Sequence, residues 1–139
     1  MIKVLDMKFI RYVNLFSKVT RLSCNHCFEY NNTIIFAVPR EFVSRAIGPN
    51  NMNLQNLSNI IGKRVKIIAI PNGIEDIENF VSVVTMPIRV KAIEIRDGEA
   101  IVTVNAQSKA SFIGKAKIRL EEMQNILEQY FGIKKIRVK

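Results

Sequence analysis

Residues 46–51 read Ala-Ile-Gly-Pro-Asn-Asn, and residues 112–117 read Phe-Ile-Gly-Lys-Ala-Lys. In each stretch an apolar pair runs into a glycine, and a leucine (Leu54, Leu120) follows six positions beyond it. Gly48 and Gly114 stand 66 residues apart, and the same offset aligns the chain outward in both directions. Thr-Ile-Ile-Phe-Ala-Val at 33–38 falls beside Glu-Ala-Ile-Val-Thr-Val at 99–104. With four extra residues in the second copy, Gly62 matches Gly132. Each copy closes on a strand-like run, 63–70 and 133–139. Self-similarity of this kind marks a structural unit used twice.

Local signals agree with the repeat. Phe28–Tyr30, Asn31-Asn32 and Ile34–Val38 read as strand, tight turn and strand, because Asn tolerates the left-handed conformation a short hairpin needs. Ile93–Ile95, Asp97-Gly98 and Ala100–Val104 repeat that hairpin. Pro39 suits the first position of a helix. Phe42, Val43, Ala46 and Ile47 then recur at helical spacing up to Gly48. A second helix places Met52, Leu54, Leu57, Ile60 and Ile61 on its apolar side and stops at Gly62. The second copy carries Phe112 and Ile113, then Ile118, Leu120, Met123, Ile126, Leu127 and Phe131, stopped by Gly132. A further helix precedes each hairpin, over 4–18 (Val4, Phe9, Tyr12, Val13, Phe16) and over 74–84 (Ile74, Ile77, Phe80, Val81, Val84).

Each unit therefore reads helix, strand, strand, helix, helix, strand. The expected boundaries are 1–71 and 72–139, and units of this size lie near the lower limit for an independent core. Pro71–Gly73 is too short for a free linker, so the units are expected to pack together.

Composition narrows the function. Of 139 residues 48% are hydrophobic and 24% charged, enough apolar material for a folded core. No run approaches a membrane span, and residues 1–18 are broken by charge and lack a cleavage site. A soluble, cytoplasmic protein without membrane contact is expected. The net charge of +9 favours a polyanionic partner. Residues 1–70 carry ten Lys/Arg against three acids, and 71–139 carry eleven against nine.

Cys24-Asn25-His26-Cys27 lacks the second Cys/His pair that a structural zinc site requires, so no metal is expected. Residues three apart in a strand point to opposite faces, which reads the two thiols as buried rather than paired. A lone histidine, no Walker loop and no paired carboxylate motif argue against an enzyme and against a cofactor.

Strand, helix, glycine turn, helix, strand is the order of the KH module, here in the α+β form with two tandem type II KH-like domains of three-stranded sheets packed by helices. A KH loop lets its backbone approach about four nucleotides closely. Helix N-terminal amides beyond it favour phosphate oxygens. Gly48 and Gly114 are equally compatible with simple helix termination. The chain resembles the tandem KH region of the NusA family of transcription termination/antitermination factors in its short archaeal form. The resemblance is carried by Val38–Glu41, by Ala46-Ile-Gly-Pro-Asn-Asn-Met-Asn53, and by Met86-Pro87 and Val90–Ile95. It implies a monomer that binds single-stranded RNA, such as nascent transcript, with RNA polymerase as a further partner, and that modulates termination or elongation. A ribosome- or RNA-processing KH protein and a partner-docking protein with degenerate loops are the alternatives.

The candidate RNA-binding residues are Arg40, Arg45, Ile47, Gly48, Pro49, Asn50, Asn51 and Asn53 in the first unit. In the second they are Lys109, Ile113, Gly114, Lys115, Ala116, Lys117 and Arg119. Lys63 and Arg64 are further candidate phosphate contacts. The family loop reads Gly-x-x-Gly, whereas the fourth position here is Asn51 or Lys117. Asn takes positive φ readily and Lys poorly, which ranks the first loop above the second.

Overall fold

The computed structural model describes residues 7–24 and 26–139. Contacts divide the chain between Ile70 and Pro71 into two compact units.

In the first unit α1 (Met7–Thr20) is followed by the hairpin β1 (His26–Tyr30) and β2 (Thr33–Val38). α2 (Val43–Ile47), α3 (Met52–Ile61) and β3 (Arg64–Ala69) complete it. Asn31 and Asn32 both take positive φ, 51° and 61°, which is what a two-residue hairpin turn demands. β1 pairs antiparallel with β2, and β3 returns parallel to β2 after the helical crossover, in order β1-β2-β3. Alternate residues Ile34, Phe36 and Val38 join Val65 and Ile67 in one apolar cluster with Phe16, Ala46 and Leu57. The Phe16 ring lies 4.7 Å from that of Phe36. Thr20 Oγ1 donates to Phe16 O at 2.8 Å and accepts from Leu22 N at 3.1 Å, which ends α1.

The second unit repeats the order: α4 (Ile77–Thr85), β4 (Val90–Arg96), β5 (Glu99–Val104), α5 (Ala106–Ile113), α6 (Ile118–Phe131) and β6 (Lys135–Val138). β4 is antiparallel and β6 parallel to the central β5. Ile77, Phe80, Val81 and Val84 give α4 a buried stripe, and Ala100, Val102, Phe112, Met123 and Leu127 are fully buried. The extra turn of α6 carries Tyr130 and Phe131, whose rings lie 5.2 and 5.6 Å from Phe80. The protein is thus α+β, with two three-stranded mixed sheets each packed by helices.

The repeat extends to single contacts. Ser58 Oγ donates to Lys63 O at 2.8 Å, and Gln124 Nε2, 66 positions on, donates to Ile133 O at 3.0 Å. Each bond holds the third helix of a unit to the chain leading into its last strand.

Several expectations need correction. The start of the first helix at residues 4–6, including Val4, lies outside the described residues. Pro39 precedes rather than opens the helical segment, and a 3₁₀ turn over Arg40–Phe42 leads into α2. Met52 and Ile60 are 53% and 61% exposed rather than part of the apolar side of α3. Cys24 lies before β1, so strand alternation does not separate it from Cys27, and both join the same apolar cluster. Both are free thiols. Burial pushes both thiols above their ordinary value, which keeps them protonated. No described helix is long and apolar enough to cross a membrane.

Candidate nucleic-acid interface

The two loops share one backbone conformation. Gly48 and Gly114 both stand at φ 81°, ψ 166°, a region essentially closed to side-chain-bearing residues. Asn50 (54°, 32°) matches Ala116 (56°, 28°), and Asn51 (59°, 27°) matches Lys117 (63°, 22°). Each loop thus carries two consecutive left-handed residues, neither of them glycine. The geometry is closed by a hydrogen bond from Asn51 N to Gly48 O, 3.2 Å, and from Lys117 N to Gly114 O, 3.1 Å. The conformational ranking of the loops therefore requires correction: the turn holds Lys117 where Asn51 stands, although lysine enters that region less readily.

A Cβ on Gly48 would meet Asn53 Nδ2 at 2.9 Å and Asn53 N at 3.2 Å. A Cβ on Gly114 would meet Arg119 Cγ at 2.6 Å and Arg119 N at 2.8 Å. The glycines are therefore required by the loop's own packing, before any ligand arrives.

That packing sorts the charged and polar candidates. Asn53 Nδ2 donates to Arg45 O at 3.5 Å, tying the start of α3 to the end of α2. Arg119 donates to Glu122 at 2.8 Å along α6, so its charge is largely answered within the protein. Lys63 is paired with Glu29 at 3.0 Å, and Lys8 reaches the other carboxylate oxygen at 3.2 Å. Burial disfavours ionisation of Glu29, but the hydrogen bonds and charges of Lys63 and Lys8 outweigh it and hold the carboxyl below its ordinary value. Asn53, Arg119 and Lys63 thus also hold the scaffold around the loops. The Arg45 guanidinium lies 5.6 Å from the centre of the Phe42 ring.

Outward-facing groups remain in both loops. Pro49, Asn50 and Asn51 are exposed in the first; Lys115, Ala116 and Lys117 in the second, with Lys109 exposed on α5. Ile47 and Ile113 are half-buried beside the glycines. Arg40 and Arg64 are exposed. The first loop is neutral and the second carries two cations on the same backbone. Pro49 has no N–H, whereas Lys115 supplies one at the matched position.

Sequence reasoning missed one matched pair. Met52 and Ile118 stand 66 residues apart, at the first position of the helix after each loop, 53% and 48% exposed. An aliphatic side chain left in water twice at this place can cover the face of a base beside the loop. Both residues were assigned to the apolar side of their helices; their matched position after the two glycines was the available signal.

Two α-β-β-α-α-β units, each with a mixed sheet and a glycine-initiated loop between its second and third helices, define a tandem KH-like protein. No family model matches the chain. Over 138 residues, 96% of this chain and 78% of the relative, it is 23% identical to the probable transcription termination protein NusA of Methanococcus vannielii. It is a distant homologue of that protein across nearly its whole length. A solved structure described as the crystal structure of APE1850 matches with a TM-score of 0.66 and 22% identity, covering 97% of this chain and 100% of that one. This likeness bears out the two-unit KH-like fold. Among the described residues no three of His, Cys, Asp and Glu gather as a metal site would require.

Proposed function

We propose that this protein is a non-catalytic RNA-binding factor of the NusA type, gripping single-stranded RNA through both loops and modulating transcription termination or elongation. The observation that carries the reading is the matched backbone of Gly48, Asn50 and Asn51 with Gly114, Ala116 and Lys117 in a chain of net charge +9. A glycine followed by two left-handed residues lets the main chain approach a sugar–phosphate strand without an intervening side chain. Two non-glycine residues held in a costly conformation fit a loop kept for binding. Nascent transcript and RNA polymerase are the partners this reading entails, and its location is the cytoplasm.

Within the site, Gly48 and Gly114 shape the loops and residues 49–51 and 115–117 face the strand. Ile47, Ile113, Met52 and Ile118 supply apolar contact to bases. Arg40, Arg45, Arg64 and Lys109 add charge at the margins.

The test exploits the tolerance of Asp for positive φ. Asn50→Asp with Asn51→Asp, and Ala116→Asp with Lys117→Asp, place negative charge at each loop without demanding a new backbone. Each pair is expected to weaken binding of single-stranded RNA by at least about tenfold, the worth of one charge-assisted hydrogen bond. Fluorescence anisotropy with a labelled oligoribonucleotide reads the change, and unaltered affinity in both variants would overturn the proposal.

A further inference from the structure

The two loops share a backbone but differ in the hydrogen-bonding groups they leave free. In the first, Gly48 N–H donates to Ser44 O at 3.1 Å, Asn51 N–H to Gly48 O at 3.2 Å and Met52 N–H to Pro49 O. Pro49 has no N–H, so among the described residues Asn50 holds the one main-chain donor of 48–52 without a protein acceptor. In the second, Gly114 N–H donates to Ala110 O at 2.8 Å, Lys117 N–H to Gly114 O at 3.1 Å and Ile118 N–H to Lys115 O. Lys115 and Ala116 both keep theirs, and they are adjacent. Successive main-chain N–H groups in a turn form a concavity that suits an anion.

The side chains divide the same way. Residues 46–62 contain no Lys, Arg, Asp or Glu, in a chain of net charge +9. Asn50 and Asn51 stand exposed within that neutral stretch. A carboxamide carries two donors, an acceptor oxygen and no charge. The matched positions of the second loop hold Ala116 and Lys117, with Lys115 before them. An ammonium group only donates, and its bonds to an ionised oxygen are roughly twice as strong as those between neutral groups. Phosphate calls for donors and positive charge, which the second loop offers. A hydroxyl both donates and accepts, which a carboxamide matches. The hydroxyl along a sugar–phosphate strand is the ribose 2′-OH, and DNA lacks it.

We propose that the first loop reads ribose. The carboxamides of Asn50 and Asn51 hydrogen-bond 2′-hydroxyls and make this loop the element that tells RNA from DNA, while the second loop grips phosphate whichever sugar carries it. This rests on the reading of both loops as RNA contacts and gives each a different part of the strand. Base edges are the other neutral groups a carboxamide can meet. They fit less well, because in that reading bases lie against Ile47 and Met52. Residues 49–51 instead follow directly on the glycine that lets the main chain approach the sugar–phosphate strand.

The matched backbone offers the test its variant. Asn50→Ala with Asn51→Lys gives the first loop the residues that the second already holds at φ 56° and 63°, against 54° and 59° here, so the turn is kept while the carboxamides are lost. Fluorescence anisotropy of the full chain reads binding to an unstructured strand of about 12 nucleotides, enough for two loops. The strand is supplied as RNA and as DNA of the same base sequence, with uracil in both. Wild type is expected to favour RNA by at least about tenfold, each hydrogen bond being worth about fivefold. Asn50→Ala with Asn51→Lys should lower that ratio by at least about fivefold, with DNA affinity kept or raised. Lys115→Gln with Lys117→Gln should weaken both strands alike and leave the ratio unchanged. An unchanged Tm establishes that the variants fold. Equal affinity of wild type for RNA and DNA overturns the proposal, as does a ratio that the Asn variant leaves intact or the Lys variant lowers equally. So does a loss in the Asn variant that follows base identity, read on all-A and all-U strands, rather than sugar. Each of these outcomes leaves RNA binding itself standing; a wild type that binds neither strand would sink that reading and this one together.

Discussion

Lys117 occupies φ 63°, ψ 22°, a conformation that costs an L-residue with a long side chain about 1 kcal/mol. Nothing in its own chemistry compensates, so the turn closed by its N–H on Gly114 O must hold it there. Lys117→Gly should therefore raise stability by about 0.5–1 kcal/mol and Tm by a few degrees, while RNA affinity falls with the lost charge. Opposite movements of Tm and affinity would separate what the backbone needs from what the ligand needs. The glycine at position one behaves in the reverse way. Gly48→Ala adds a Cβ against Asn53 in a backbone region alanine avoids, and should cost about 2 kcal/mol in a denaturation series. Gly48→Asp would be a poor probe of phosphate repulsion for that reason, since it disturbs the loop as well as its charge. Glu29 provides a third residue-level prediction. Its folded-state ionisation lies below the ordinary value, so its contribution to stability is complete above about pH 4.5 and is lost as pH falls through the folded-state value. Both lysines reach solvent, which limits the contribution to about 1 kcal/mol. The stability gap between wild type and Glu29→Gln, read by urea denaturation, should be full at pH 7 and shrink in acid; a gap that widens in acid would contradict the ion-pair account.

At the scale of elements, the parts fixed by local chemistry were legible in the chain. Asn31-Asn32 and Asp97-Gly98 announce their hairpins because these residue types reach positive φ, and all four do so. Gly62 and Gly132 end α3 and α6 in the left-handed conformation for the same reason. Where a face had to be chosen, the reading was weaker. At 100° per residue Met52 lies about 160° and Ile60 about 120° around α3 from Leu54, so neither shares the stripe of Leu54, Leu57 and Ile61. Apolar identity alone had placed them inside. The side-chain partners of Lys63, Asn53 and Arg119 were less legible still. Glu29 precedes Lys63 by 34 residues, and Asn53 meets a backbone carbonyl rather than a complementary side chain. The loops differ in charge as well as in the N–H that Pro49 lacks, and the charge has a measurable consequence. Each phosphate neutralised on a single strand contributes about 0.7 to the slope of log K against log salt. Lys115→Gln with Lys117→Gln should flatten that slope by about 1.4, whereas Asn50→Ala with Asn51→Ala should lower affinity and leave the slope unchanged. Equal slopes for all three proteins would mean that the second loop's lysines do not meet phosphates.

For the molecule as a whole, the proposed function turns the repeat into two grips on one chain. Only residues 70–73 separate the end of β3 from the 3₁₀ turn that begins at Ile74, so a strand held by one unit keeps the other at high effective concentration. On the proposed reading each loop would engage about four nucleotides, the number that a KH loop clamps. A strand of that length can satisfy one loop at a time, and a longer one both. Affinity of the intact protein should therefore climb steeply with oligoribonucleotide length beyond about four nucleotides and then level off. Asn50→Asp with Asn51→Asp should abolish the climb, as should Ala116→Asp with Lys117→Asp, because each leaves a single grip. On a long strand either variant then binds at least about tenfold more weakly than the intact chain, a loss of linkage as well as of contacts. Binding curves over a graded series of unstructured oligomers distinguish this from independent sites. If the intact protein gains with length no more than either variant does, the two loops hold separate strands, and the repeat serves something other than a continuous RNA.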